Sequence, residues 1–155
     1  MSALRTLTER VGQELGVSEW LLIDQARVDQ HAQVTGDAQW IHNDPERATK
    51  EGPFGGPIVQ GFLLLALFTE LSTQAIPAGE GLDYLVNYGF DRVRFLRPVM
   101  VGSRVRLRVS LGEVRAKDEG RAVLAMDVAL ETEGETEGHT QPAVAARWLF
   151  LVQAS

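Results

Sequence analysis

Residues 58–75 read IVQGFLLLALFTELSTQA, and this stretch decides the fold. It follows a cluster of glycine and proline over 52–57 that forces a loop, and it is apolar on nearly every side of a helix. A helix that is apolar all round has to be buried on all sides. The run is shorter than the roughly 20 residues that cross a bilayer, so we expect a helix over 58–75 at the centre of a protein core.

Beyond this helix the apolar residues recur with a period of two, which is typical of strands with one buried face. Candidate strands lie at 84–88, 92–95, 104–111, 124–130 and 144–150. Turn-forming residues over 117–120 and 133–138 separate the last three. We therefore predict an α+β fold, in which a long buried central helix is wrapped by a curved, meandering antiparallel sheet of about five strands.

Helices are also predicted before the central one. Apolar residues spaced by three or four predict a first helix over 4–15. Asp24 is placed to cap a second helix, which stops at Thr35-Gly36. Asp44-Pro45 restarts a short helix, so residues 37–43 are expected to form a loop.

Composition limits the classes of function. The chain has 155 residues, the size of one ordinary domain, and we expect a single domain over 1–155. The lack of cysteine excludes disulfides, thiolate zinc sites and cysteine nucleophiles, and favours a reducing, cytoplasmic setting. Its net charge is −6 and its 15 Lys and Arg residues are scattered, which argues against a nucleic-acid partner. The first 15 residues lack the apolar core of a secretion signal, and no membrane partner is expected.

The residues best suited to chemistry are Asp37 and His42, within TGDAQWIHND at 35–44. On a continuous helix this spacing would splay the two side chains, but a helix stop at Gly36 lets them converge in a loop. A carboxylate beside an imidazole can orient a water and exchange protons with a substrate carbon. The alternative is that Asp37 caps backbone amides in a turn and His42 only hydrogen-bonds a loop.

The other two histidines carry weaker hypotheses. His139 lies in a polar stretch and is expected to be solvated, and His31 reads as a half-buried helix residue. A metal site built from His31, Asp37 and His42 lacks the close spacing of convincing ligand sets, so no metal is expected. The sequence contains no serine nucleophile elbow, phosphate loop or dinucleotide fingerprint.

Gly61 falls in the first turn of the predicted central helix. Backbone amides there have no partner within the helix, and the helix dipole favours negative charge. A glycine would let a thioester carbonyl oxygen approach its amide closely, as in an oxyanion hole. Alternatively, Gly61 permits tight packing of the helix on the sheet.

Three segments together resemble one family over most of the chain. TGDAQWIHNDPERA at 35–48 resembles the hydratase motif of MaoC-like hot-dog proteins, which pair an aspartate with a histidine five residues later. GPFGGPIVQGF at 52–62 is similar to the loop and helix start of that family, and VRFLRPVMVGS at 93–103 to its strand-and-turn signature. The Gln-Trp-Ile-His variant resembles the nodulation-protein-N-like branch.

The resemblance implies a hot-dog fold and an (R)-specific 2-enoyl-CoA hydratase, or 3-hydroxyacyl-CoA dehydratase. It implies that Asp37 and His42 activate the water and that the Gly61 amide holds the thioester oxygen. Further substrate-binding residues are expected at Gln60, Thr69 and Asn43. The coenzyme A thioester is substrate, so no cofactor is expected, and hot-dog proteins generally form homodimers. One departure is visible, because the family usually has histidine where this chain has Gln60.

Two other functions stay open. The same fold hosts acyl-CoA thioesterases, which usually place a carboxylate on the long helix, where this chain has Glu70. A non-catalytic module that binds acyl thioesters is the second alternative, and Gln60 is its best support.

Overall fold

The computed structural model describes residues 3–76, 82–118, 120–134 and 142–154. Its helices are α1 (Ala3–Thr8), α2 (Gln25–Thr35), α3 (Trp40–Asn43), α4 (Pro45–Glu51) and α5 (Gly61–Ala75). Its strands are β1 (Glu14–Val17), β2 (Leu21–Leu22), β3 (Leu82–Phe95), β4 (Arg104–Asp118), β5 (Arg121–Thr132) and β6 (Val144–Ala154). None of the described helices is both long and apolar enough to cross a membrane.

The central helix α5 packs into the sheet as predicted, but it begins at Gly61 and not at residue 58. Residues 58 and 59 are extended, because Ile58 forms a β-bridge with Met100 and the Val59 amide donates to the Val99 carbonyl at 2.8 Å. The buried side chains of α5 are Leu63, Leu64, Leu67, Phe68, Leu71, Ser72 and Ala75.

The prediction that α5 is buried on all sides was wrong. Phe62 is 71% exposed, and Ala66, Thr69 and Glu70 are also exposed. The sheet therefore covers only part of the helix surface, and one face of α5, which includes Phe62, stays open.

The described strands form an antiparallel sheet in the order β1-β4-β5-β6-β3, with β2 paired to β4. The predicted meander holds for β4, β5 and β6, but β3 pairs with β6 rather than with β4. The two segments expected at 84–88 and 92–95 form one 14-residue strand, β3, which continues through register shifts around Gly89. Gly89 has φ 151°, a backbone angle that favours glycine.

The first helix is shorter than the periodicity predicted. It ends at Thr8, and Leu15 lies in β1, where neighbouring residues pair with Arg108 and Val109. Pairing with β4 overrides the local helical pattern, a common result where tertiary contacts compete with propensity. Gly16 is a strand residue whose lack of a side chain lets β1 approach the Ala75 carbonyl at the end of α5.

Helix capping around the candidate site follows the sequence closely. The Asp24 carboxylate accepts from the Arg27 amide at 2.9 Å and begins α2. Gly36 ends α2 in the left-handed conformation, with φ 78°. The Asp44 carboxylate accepts from the Arg47 amide at 3.0 Å and begins α4. Both predicted caps are confirmed, and they fix the ends of the segment that carries Asp37 and His42.

Candidate active site

His42 lies on a single helical turn where the sequence predicted a loop. The Gln39 carbonyl accepts from the amides of His42 at 2.9 Å and Asn43 at 3.1 Å, which forms α3. The predicted loop over 37–43 is therefore wrong for its second half. The turn directs His42 inward, where the side chain is buried and 6% exposed.

One nitrogen of the His42 ring is already engaged. Nδ1 lies 2.6 Å from the carbonyl oxygen of Ile58. A carbonyl can only accept, so Nδ1 carries the proton in this contact. In the neutral ring Nε2 then has the free lone pair, and it can accept a proton or a hydrogen bond from a bound water.

Asp37 follows the helix stop directly and is half-buried. Its amide donates to the Thr35 hydroxyl at 3.3 Å, and its carbonyl accepts from the Gln60 side chain at 3.4 Å. Among the described residues, no hydrogen bond uses its carboxylate. The capping alternative therefore fails for Asp37, whereas the expected bond from His42 to a loop carbonyl is present.

Gln60 is fully buried directly before α5. Its Nε2 also donates to the Val28 carbonyl of α2 at 3.0 Å. Asp37 and His42 are thus both tied to the segment 58–60, which leads into the amide of Gly61. The sequence placed Gln60 at the site, but it gave no indication of these two acceptors.

Gly61 is the first residue of α5, and the intrahelical bonds begin only with Leu64, whose amide donates to the Gln60 carbonyl at 3.2 Å. The Gly61 amide therefore lies outside the helical ladder and is available to a ligand. A Cβ at this position would lie 3.1 Å from the Phe95 ring. Close packing on β3 thus supports the packing explanation of Gly61, and its role as an oxyanion donor stays a prediction.

Asn43 and Thr69 are placed differently from these four residues. Asn43 uses its Nδ2 to donate to Asp29 Oδ1 at 2.8 Å, and its Oδ1 is buried without a partner in the described structure. Thr69 is exposed and lies about 12 Å along the axis of α5 from Gly61, at 1.5 Å per residue. Substrate contact by either residue stays a prediction.

Two residues beneath the site, Gln25 and Asp29, were not predicted from the sequence. Gln25 Nε2 donates to Asp29 Oδ1 and to the His42 carbonyl, both at 2.9 Å. Hydrogen bonds from Gln25 and then from Asn43 lower the pKa of the Asp29 carboxyl, against a smaller opposing effect of burial. Their spacing of four on a predicted helix, which places two side chains on one face, was the available signal.

A metal site gains no support. No group of three or more metal-binding side chains occurs in the described parts of the chain. His31 is half-buried on α2 as predicted, and its Nε2 has no partner there. His139 lies outside the described residues.

A cavity of about 300 Å³ opens between α5 and the sheet. Trp148 and Phe90 stack in its wall at 6.0 Å between ring centroids, and Trp148 Nε1 donates to Asn87 Oδ1 at 2.9 Å. The lining residues are Leu65, Ala66, Thr69, Asn87, Gly89, Phe90 and Trp148. It therefore runs along the face of α5 that carries Thr69.

Comparison with known protein families assigns the chain to one of them. The model described as "MaoC like domain" matches residues 6–133. This chain belongs to the MaoC-like family. The MaoC-like match spans α2, α3 and the whole of α5, so it includes every candidate site residue.

Curated MaoC-like relatives are similar over nearly the whole chain. Nodulation protein N of Rhizobium leguminosarum bv. viciae is 42% identical over 151 residues, 97% of this chain and 91% of that protein. 3-hydroxyacyl-thioester dehydratase Z of Mycobacterium tuberculosis (strain CDC 1551 / Oshkosh) is 44% identical over 140 residues, 90% of this chain and 89% of that protein. The (R)-specific enoyl-CoA hydratase of Aeromonas caviae is 33% identical over 134 residues, 86% and 92% of the two chains. Two of these relatives are named as a dehydratase and as an enoyl-CoA hydratase, and the chain is likewise a hydro-lyase.

Solved MaoC-like structures share the fold. A MaoC-like dehydratase from Rhodospirillum rubrum superposes with a TM-score of 0.75 at 18% identity, covering 94% of this chain and 93% of that one. The (R)-hydratase from A. caviae superposes with a TM-score of 0.64 at 26% identity, covering 93% and 98%. The hot-dog fold expected from the sequence is thereby confirmed.

Proposed function

We propose that this protein reversibly adds water to a trans-2-enoyl-CoA thioester, giving the (R)-3-hydroxyacyl thioester. The observation that carries the proposal is the bond between His42 Nδ1 and the Ile58 carbonyl. It leaves Nε2 of a buried imidazole as a proton acceptor. The same segment carries the carboxylate of Asp37, which no hydrogen bond among the described residues uses.

The reaction needs water activation and stabilisation of an enolate. Asp37 and His42 would hold one water, remove a proton as its oxygen bonds to C3, and deliver a proton to C2 on the same face. The π electrons of the double bond pass through C2 toward the thioester oxygen, and they return to form the new C–H bond. The Gly61 amide, at the positive end of the α5 dipole, would donate to that oxygen while it carries negative charge.

The names of two relatives support the substrate class. One is a 3-hydroxyacyl-thioester dehydratase and the other an (R)-specific enoyl-CoA hydratase, which describe the two directions of this reaction. We propose coenzyme A as the carrier, no cofactor beyond this substrate, and a cytoplasmic location.

A thioesterase is less well supported. Its candidate carboxylate, Glu70, is exposed on α5 and pairs with Arg27 of α2 at 3.1 Å. This surface ion pair leaves Glu70 away from the segment 58–60 that connects Asp37 and His42. No contact of the described residues favours hydrolysis of a thioester over hydration.

We further propose that the hydratase is a homodimer joined along β3. This strand lies at the end of the described sheet order, is 14 residues long, and exposes Leu85, Val86 and Tyr88. A long apolar edge strand is a template for pairing with another chain. The open face of α5, with Phe62, adds apolar surface that a second copy can cover.

The test is loss of enoyl-thioester absorbance when the purified protein meets crotonyl-CoA or a longer 2-enoyl-CoA. Asp37→Ala and His42→Ala are each expected to lower kcat by roughly 10²–10⁴-fold, the usual contribution of general acid–base catalysis. His31→Ala is the control, because it removes a half-buried histidine from the neighbouring helix α2.

The outcomes separate the functions. Turnover by the wild type and the control, with loss in the other two variants, supports the hydratase. No turnover by the wild type on either substrate contradicts it. Turnover retained in Asp37→Ala contradicts the assignment of the catalytic pair. Release of free thiol from a saturated acyl-CoA would support a thioesterase.

A further inference from the structure

The proposed site rests on one face of α2. Gln25 and Asp29 lie four residues apart there, and together they contact two consecutive residues of α3, His42 and Asn43. We propose that Asp29 is a positioning residue for His42, acting through Gln25 and Asn43. This inference rests on the hydratase function proposed above, and it assigns Asp29 no contact with substrate.

The hydrogen bonds define the orientation of each group. Asp29 Oδ1 accepts from Gln25 Nε2 at 2.9 Å and from Asn43 Nδ2 at 2.8 Å. An ionised carboxylate only accepts, so both amides must turn their NH₂ groups toward it. The second hydrogen of Gln25 Nε2 is then directed to the His42 carbonyl at 2.9 Å.

His42 is therefore hydrogen-bonded to two neighbouring segments, once through its ring and once through its main chain. The ring is bonded to Ile58, which precedes α5, and the main chain is bonded to Gln25 of α2. Loss of the second attachment would leave the main chain of His42 held by α3 alone, so the ring could tilt about its bond to Ile58. Since a displacement of about 1 Å can cost a catalytic group 10²-fold in rate, this attachment matters for turnover.

The negative charge of Asp29 also strengthens its hydrogen bonds to Gln25 and Asn43. Hydrogen bonds from Gln25 and Asn43 lower the pKa of its carboxyl, so the carboxylate stays ionised near neutral pH and both bonds are charge-assisted. Asn43 Oδ1 is buried and has no partner in the described structure. Because the carboxylate of Asp29 only accepts, Asn43 turns Nδ2 toward it even though this leaves Oδ1 unpaired.

The test compares Asp29→Ala with Asp29→Asn. Asp29→Ala is expected to lower kcat by about 10- to 100-fold with KM changed by less than about twofold. The reason is that loss of Asp29 displaces His42, whereas Asp29 itself binds no substrate. Asp29→Asn should recover part of the rate, because the Asn43 amide can flip and accept from the new side-chain NH₂ with its unpaired Oδ1.

Asp24→Ala is the matched control, because it weakens the same helix α2 at its N-cap and leaves the bonds of Asp29 in place. The second readout is the ¹⁵N NMR signal of the His42 imidazole. Asp29→Ala should weaken the hydrogen bond from Nδ1–H to the Ile58 carbonyl, and the signal of Nδ1 should shift accordingly. An unchanged imidazole signal, or the same kcat loss in Asp24→Ala, overturns the proposal. If the wild type lacks turnover, the hydratase function fails, and the imidazole signal alone decides the role of Asp29.

Discussion

At the scale of the residue, Gln60 forms two hydrogen bonds through its side-chain nitrogen but leaves its side-chain oxygen without one. Its Nε2 bridges the carbonyls of Val28 and Asp37, while its Oε1 is buried without a partner in the described structure. Leaving a buried polar atom unpaired costs about 1–3 kcal/mol. The two hydrogen bonds hold α2 against the segment that carries Asp37, which gives Gln60 a structural role whether or not the site is catalytic.

We therefore expect Gln60→Met to lower kcat while changing the free energy of unfolding little. The substitution removes both donors, but it also removes the buried unpaired oxygen, so the two effects oppose each other within about 1–2 kcal/mol. Urea unfolding and crotonyl-CoA kinetics measure the two quantities. Gln33→Met, at an exposed position on α2, is the control. Full activity of Gln60→Met would show that the bridge to Asp37 is dispensable.

At the scale of the element, β3 is the strand whose surface is least covered. Phe90 stacks on Trp148 and is still 39% exposed, and Val86 is 49% exposed. The opposite edge strand, β1, has only four residues and a register irregularity. Extension of the sheet by a second copy is therefore favoured at β3.

Val86→Lys is expected to convert the proposed dimer to a monomer at low micromolar concentration, because a charge on an edge strand opposes pairing. Size-exclusion chromatography with light scattering gives the mass in solution. Val34→Lys is the matched control, since Val34 is 86% exposed on α2 and far along the chain from β3. A monomeric wild type, or a Val86→Lys variant that stays dimeric, contradicts pairing through β3.

At the scale of the whole molecule, the outer face of the sheet carries a charge network that makes stability depend on pH. Glu131 of β5 accepts from Arg106 at 2.7 Å and from Arg108 at 2.8 Å, and Arg108 also pairs with Glu14 of β1. Burial raises the pKa of Glu131, but the hydrogen bonds from Arg108 and Arg106, together with the positive charges of these two residues, lower it by more. The network thus joins three strands through Arg108 of β4, which contacts one carboxylate on β5 and one on β1.

A lowered pKa in the folded protein gives stability that is present above the ordinary glutamate pKa of about 4.3. That stability is lost as the pH falls through the lower pKa of the folded state. We expect the free energy of unfolding to decrease below about pH 4.3, and Glu131→Gln to make this decrease shallower. Urea unfolding between pH 3 and 7 checks it, with the exposed Glu19→Gln as the control. An equal slope in Glu131→Gln and the wild type would exclude the network as a cause.

Much of the molecule follows from local sequence. The period of two predicts β4, β5 and β6, and Asp24, Gly36 and Asp44-Pro45 mark helix ends that the structure confirms. These signals depend on neighbouring residues alone, since a cap or an alternating face is set within a few positions of the chain. The three motifs in order were also enough to indicate the family.

Tertiary structure decided what local patterns could not. Leu15 belongs to a strand because β4 supplies backbone partners, and β3 pairs with β6 because the chain crosses the sheet. Periodicity could not predict the exposed face of α5, because it reports which residues are apolar and not which elements cover them. The tautomer of His42 and the support from Asp29 likewise depend on contacts between separate elements, so only the folded chain determines them.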